Sequence, residues 1–183
     1  DNLNAEDFDV FDNGVRQKVE LVSPSAAPVS VVLAVDSSAS LDARERSHLT
    51  QAGTRVIDAL KPGESAALVT FSSRVAIQTG FTSDAAKLRS LVAAPTPSGD
   101  TALHDAAHVA MLVGTSAPGR PMVILFSDGD DTASFLTEDA VVETGQRTGA
   151  VVSVVMIEGE GRLLQQLASL TGGVLVKEPS LDR

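Results

Sequence analysis

The chain has 183 residues, 43% hydrophobic and 21% charged, with a formal net charge of −10. That length suits one domain with room for a small appendage, and the hydrophobic share supports a sizeable core rather than a disordered chain. The excess of 24 Asp+Glu over 14 Lys+Arg argues against nucleic acid or an anionic membrane as main partner, and the lack of cysteine excludes disulfides, thiolate metal sites and a cysteine nucleophile.

No apolar run approaches the roughly 20 residues that span a bilayer, so no membrane insertion is expected. The chain opens on Asp1 without a methionine or signal peptide, and reads as a processed or excised piece of a longer product. Trp and Tyr are absent and Phe is sparse. Binding hot spots lean on Trp, Tyr and Arg, so a protein partner is expected to be held largely by something other than aromatic anchors.

Residues 1–28 stand apart from the rest as an N-terminal hairpin and linker. Apolar and polar residues alternate on both sides of Asn13-Gly14, a strong two-residue turn signal because both positions need positive φ. Such a turn pairs Val10 with Gln17 and Phe8 with Val19, and sets Asp9 opposite Lys18. The stretch from Ser23 to Pro28 reads as a linker. The hairpin is either an edge of the main sheet or the remnant of a small upstream β-domain.

Residues 29–183 alternate strand and helix. The continuous apolar run at 29–36 predicts a strand buried on both faces. A helix is expected from Ala43 to Leu60, then strands at 66–71 and 75–81. Only Ser72-Ser73-Arg74 separates those strands, too short a gap for a parallel crossover, so they pair antiparallel. A helix capped by Ser83 or Asp84 runs to about Leu91 and another from near Thr101 to about Val113. Strands at 121–127, 150–157 and 174–177 and helices at 137–148 and 161–171 complete the chain. The fold class expected is α/β: a Rossmann-like, doubly wound, mostly parallel sheet with one antiparallel edge strand, plus the hairpin.

Two of the apolar strands end in acids. Asp36-Ser37-Ser38-Ala39-Ser40 follows the first and Ser127-Asp128-Gly129-Asp130-Asp131 follows the strand at 121–127. Ligands of open parallel sheets bind at carboxyl ends of strands, where the order reverses. Alternate residues leaving a strand point the same way, so Asp36, Ser38 and Ser40 can face one point, with Asp128 arriving beside them and the Thr101 hydroxyl facing out of a helix start. Two carboxylates and three hydroxyls form a hard oxygen set. It suits Mg²⁺ above all, or Mn²⁺ or Ca²⁺, rather than Zn²⁺ or Cu²⁺.

Asp36-x-Ser38-x-Ser40, then Thr101, then Asp128, resembles the metal-ion-dependent adhesion site of the von Willebrand factor type A family, over about residues 29–178. Phe71-Ser72-Ser73 and Gly99-Asp100-Thr101-Ala102-Leu103 with Asp105 fit the same pattern, and Glu6 to Gly14 resembles the segment before this domain in bacterial exported members. The resemblance implies a protein-binding, adhesion-type module. A divalent cation would be held by Asp36, Ser38, Ser40, Thr101 and Asp128 and completed by an Asp or Glu of a partner protein. It implies an extracellular, periplasmic or cell-surface location, and in some members a shift of the last helix, here about 161–171. The loops at Ser72-Ser73, Ser98 to Asp100 and Asp130 to Ser134 would surround the ion and choose the partner.

Other classes fit less well. A structural or assembly subunit with little ion dependence remains an alternative. A metal-dependent phosphohydrolase of the haloacid-dehalogenase type needs an acid two residues after its nucleophile, where Ser38 stands. A phospho-receiver domain needs a Lys beyond a later strand, but Glu158-Gly159-Glu160-Gly161 follows the strand at 150–157. Neither glycine-rich phosphate loop nor Gly-x-Ser-x-Gly elbow occurs, and no base is identified for Ser38 or Ser40, so no enzyme is expected. Asp130 and Asp131 read as solvated or capping residues. His104 and His108 share a helix face, but Asp105 follows His104 where a zinc protease has Glu, and no third ligand is evident.

Overall fold

A computed structural model describes residues 4–19, 28–157, 159 and 161–177. Strands β1 (Val10–Asp12) and β2 (Val15–Gln17) form a two-stranded sheet of their own. The turn is as expected: Asn13 and Gly14 both take positive φ, and Val10 faces Gln17. The hairpin is not an edge of the main sheet. Its ladder also stops short of the expected Phe8–Val19 pair, and the Asp9 carboxylate is ion-paired with Arg16. Both strands are exposed throughout, so extending them would bury little. The expected linker lies, apart from Pro28, outside the described residues.

The main sheet has six strands in the order β5-β4-β3-β6-β7-β8. They are β3 (Val29–Asp36), β4 (Ser65–Phe71), β5 (Val75–Thr82), β6 (Arg120–Ser127), β7 (Val151–Met156) and β8 (Leu175–Lys177). Every pairing is parallel except β4 with β5, as the three-residue connection requires. Alternation along β3 sorts two cores. Val31, Leu33 and Val35 face α1 (Ala43–Asp58) and α2 (Ala85–Ala93), whereas Val32 and Ala34 face α3 (Leu103–Gly114), α4 (Glu138–Thr148) and α5 (Arg162–Thr171). With helices on both faces, β3 is buried along nearly its whole length, which explains its unbroken apolar run.

From β3 the chain winds outward through β4 and β5, then returns through α2 and α3 to β6 on the other side of β3. The order reverses between β3 and β6, so a crevice opens at their carboxyl ends. Asp36 is the last residue of β3 and Asp128 the first beyond β6.

Three helix boundaries differ from expectation, α2 running on to Ala93, two residues past Leu91. Helix α1 stops at Asp58, two residues before Leu60. Helix α3 starts at Leu103 rather than near Thr101, because Thr101 and Ala102 are held in a loop by bonds to Thr132 and Ser72.

Candidate metal centre

Three loops are stitched into one platform above the crevice. The backbone N–H of Ser37 donates to the Phe71 carbonyl at 2.7 Å and that of Ala39 to the Gly99 carbonyl at 3.0 Å. The Ser98 N–H returns to the Ser37 carbonyl at 3.1 Å, and the Ala102 N–H reaches the Ser72 carbonyl at 2.8 Å. Gly99 sits at φ +71°, and a Cβ there would lie 2.4 Å from Ser73 Oγ, so both its conformation and its contact call for glycine.

On this platform four of the five expected oxygen residues form one chain. The Ser38 N–H donates to Asp36 Oδ1 at 2.8 Å. Ser38 Oγ lies 2.8 Å from Ser40 Oγ, and Ser40 Oγ donates to Asp128 Oδ2 at 2.9 Å. Asp36 and Ser38 are buried, Asp128 is half-buried and Ser40 is exposed, so the chain climbs from the core to the surface. Thr101 is placed differently from the outward-facing helix start expected for it. It is 2% exposed, its N–H donates to Thr132 Oγ1 at 2.9 Å, and its carbonyl accepts from Thr132 and Ala133. Its hydroxyl makes no hydrogen bond among the described residues.

Ser127 is a member that sequence reasoning missed. Fully buried at the end of β6, its hydroxyl donates to Asp36 Oδ2 at 2.9 Å and lies 3.5 Å from Asp128 Oδ1, while accepting from the Gly129 N–H at 3.1 Å. A serine just before a strand-end aspartate was the only signal for it. Burial pushes the Asp36 carboxyl above its ordinary value of 3.8. Hydrogen bonds from Ser38 and Ser127 pull it back in part, and the Asp128 carboxylate pushes it further up. A cation between the two acids would relieve both burial and repulsion.

The oxygen spacing provides a fit test. Mg²⁺ takes six oxygens at about 2.0–2.1 Å, which sets neighbouring ligand oxygens about 2.9 Å apart, whereas octahedral Ca²⁺ would need about 3.3–3.7 Å. The contacts of 2.8 and 2.9 Å along Ser38, Ser40 and Asp128 are ordinary O–H···O hydrogen-bond lengths, and they leave these oxygens close enough to serve as neighbouring ligands of the smaller ion. Among the described residues no three His, Cys, Asp or Glu side chains converge, so hydroxyls have to carry part of any such site.

The family model described as von Willebrand factor type A domain matches residues 31–130. The chain belongs to that family. No curated protein matches it. Among solved structures, a von Willebrand factor type A protein from Catenulispora acidiphila superposes with a TM-score of 0.74 at 19% identity, over 85% of this chain and 39% of that one. An aerotolerance-related membrane protein from Bacteroides fragilis, carrying multiple mutations to serines, gives 0.70 at 17% identity, over 83% and 92%. The vWF domain of the type V pili tip protein Mfa5 from Porphyromonas gingivalis gives 0.65 at 14%, over 84% and 90%. At these identities the likeness is one of fold, the Rossmann-like sheet of the von Willebrand factor type A domain.

The remaining sequence candidates act as scaffold. Asp131 Oδ1 accepts from the His104 N–H at 3.1 Å and so caps α3, whose own N-cap, Ala102, has no side chain for the task. Asp130 is exposed, and its N–H donates to Asp128 Oδ1 at 3.3 Å. The two histidines tie helices and loops together: His104 Nδ1 lies 3.1 Å from the Leu136 carbonyl and His108 Nδ1 lies 2.8 Å from Thr144 Oγ1. No helix among the described residues is long and apolar enough to cross a membrane.

Proposed function

We propose that this von Willebrand factor type A domain is a protein-binding module rather than an enzyme. Asp36, Ser38, Ser40, Thr101 and Asp128 would hold one divalent cation, Mg²⁺ by preference over Mn²⁺ or Ca²⁺, and an Asp or Glu of a partner protein would complete it. The observation that carries this reading is the run of oxygens 2.8 and 2.9 Å apart joining the ends of β3 and β6. An octahedral Mg²⁺ keeps some of its waters, and those positions are the ones an outside carboxylate could take. The ion supplies a positive point that a carboxylate can bind, while the platform loops fix where that point lies. Among the described residues the hydroxyls of Ser38 and Ser40 bond to one another and to Asp128, not to a histidine or lysine that could act as base, which favours binding over catalysis.

A second reading is an assembly subunit in which the ion matters little, and it draws on the fold shared with a pilus tip protein. That protein and the Bacteroides fragilis membrane protein also support a cell-surface or periplasmic location. Calorimetric titration with Mg²⁺, Mn²⁺ and Ca²⁺ tests the primary reading. Wild type is expected to bind Mg²⁺ and Asp36→Ala to show no heat; equal behaviour of the two removes the site. Pull-down by the full-length product with and without chelator separates the readings, since an assembly subunit keeps its partner in chelator.

A further inference from the structure

The loop after β6 displays one aromatic side chain to solvent. Phe135 is 95% exposed, the most exposed of the large hydrophobic residues described. Its backbone is fixed. The N–H groups of Phe135 and Leu136 donate to the two oxygens of Asp105 at 3.1 and 3.0 Å. In return Ser134 Oγ accepts from the Asp105 N–H at 3.1 Å and donates to Asp131 Oδ1 at 2.5 Å. The same loop grips Thr101 through Thr132 and Ala133. An apolar ring held out on a rigid frame gains nothing from burial within this chain, but loses little entropy when a partner covers it.

The surroundings specify the partner. No Lys or Arg occurs between Arg120 and Arg147, whereas Asp128, Asp130, Asp131, Glu138, Asp139 and Glu143 all do. Asp130, Asp131 and Glu138 line an open groove of about 530 Å³, with His104 and Arg162 on its walls. An anionic lipid surface would be repelled by that charge. A protein with Lys or Arg beside its own carboxylate would be drawn to it.

Building on the ion-centred reading above, we propose that Phe135 is the apolar anchor of the binding face: it inserts into an apolar pocket of a partner protein whose carboxylate reaches the oxygen cluster and whose basic residues enter the acidic groove. The expectation that a partner is held largely by something other than aromatic anchors is kept, with Phe135, presented by Asp105, as the one aromatic contribution.

The test pans the wild-type chain in Mg²⁺ against a phage-displayed random peptide library. Selected peptides are then measured on wild type, Phe135→Ser, Phe135→Leu and Asp36→Ala, with Mg²⁺ titrations alongside. The expected peptides combine an acid, a basic residue and an apolar residue. They bind Phe135→Ser at least about tenfold more weakly, as loss of an interface anchor does, and Phe135→Leu within a few-fold of wild type, while Mg²⁺ uptake is unchanged in both. Peptides that bind Phe135→Ser as tightly as wild type overturn the proposal. So does a lack of enrichment on a chain that takes up Mg²⁺, and so does Phe135-dependent sedimentation with phosphatidylcholine vesicles, which assigns the ring to lipid. Phe135-dependent peptides that ignore EDTA instead sink the ion-centred reading, and the ion-linked form of this proposal with it.

Discussion

The two loops that leave the central strands differ in almost every physical respect. The loop after β3 is anchored inward: Asp36 is 4% exposed, Ser38 is 0% exposed, and the backbone between them bonds to neighbouring loops. The loop after β6 faces outward, with Asp128 half-buried, Asp130 exposed and Phe135 nearly bare. The first loop is held by the sheet and its crossover neighbours. The second is held by α3, through Asp105 and by capping α3 with Asp131. A site that binds something between itself and a partner needs both kinds of loop. Under the proposed reading the first would supply the buried end of the ion site, Asp36 and Ser38, and the second its half-buried end, Asp128, together with contacts that vary with the partner.

Asp36→Asn breaks the inward loop most sharply, and in two opposed directions. Its ion affinity is expected to vanish, since a buried carboxylate is replaced by a neutral amide. The ion-free domain is expected to become more stable near neutral pH. The sign follows from linkage. Burial raises the Asp36 carboxyl above 3.8 in the folded state, so the folded chain holds its proton over a range where the unfolded chain has released it. Wild-type stability therefore falls as pH rises from the unfolded value through the folded one, then levels off. The Asp36→Asn variant, with a neutral amide at this position, lacks that loss. Ion affinity of the wild type runs the other way, rising over the same window as the proton leaves. Thermal unfolding of both proteins in EDTA from pH 4 to 7 checks this, and a wild type as pH-tolerant as Asp36→Asn in that window would refute it.

How much of this was readable from residues depends on the distance over which each feature is determined. The central strands and their acidic ends were legible because burial on both faces leaves an unbroken apolar run and the D-x-S-x-S spacing lies within five residues. The antiparallel β5 followed from a connection of three residues. The turn at Asn13-Gly14 was legible for the same local reason. Thr101 was misplaced at a helix start because Thr132, 31 residues away, holds it in the loop. Asp131 was read as a solvated or capping residue, but that it and Ser134 serve α3 was hidden likewise, since they reach it from 27 and 29 residues away. Ser127 passed as an ordinary strand residue, because only the approach of β3 gives its hydroxyl two acids to serve. Sequence could not show that the hairpin stays off the main sheet, because strand pairing depends on which edges are open.

Asp105→Ala tests the outward loop alone. It removes the carboxylate that accepts from Phe135 and Leu136 and leaves two amides without their partner. Hydrogen bonds to a charged group contribute about 1.5–3 kcal/mol, so a loss of about 2–3 kcal/mol in folding stability is expected. Amide exchange should quicken at residues 131–136, and Mg²⁺ affinity should fall only as far as Thr101, held by Thr132 and Ala133, is loosened, because Asp36, Ser38 and Ser40 are held elsewhere. Equal quickening in the loop after β3 would show that the two loops are one unit.

Ser127→Ala is the mildest and the most discriminating change, because that hydroxyl is bonded to Asp36 and also lies within 3.5 Å of Asp128. Alanine fills nearly the same buried space, so the expected loss of stability is about 1–2 kcal/mol, from the unpartnered Gly129 N–H and the lost donor to Asp36. Without that donor the Asp36 carboxyl should rise further, since the Ser127 hydrogen bond is among the influences that lower it. Mg²⁺ affinity should then drop several-fold at the acid end of the titration and recover toward wild type as the pH rises and the proton ceases to compete. An affinity loss independent of pH would mean instead that Ser127 sets the distance between the two loops, and that the ion reads their spacing rather than their charge.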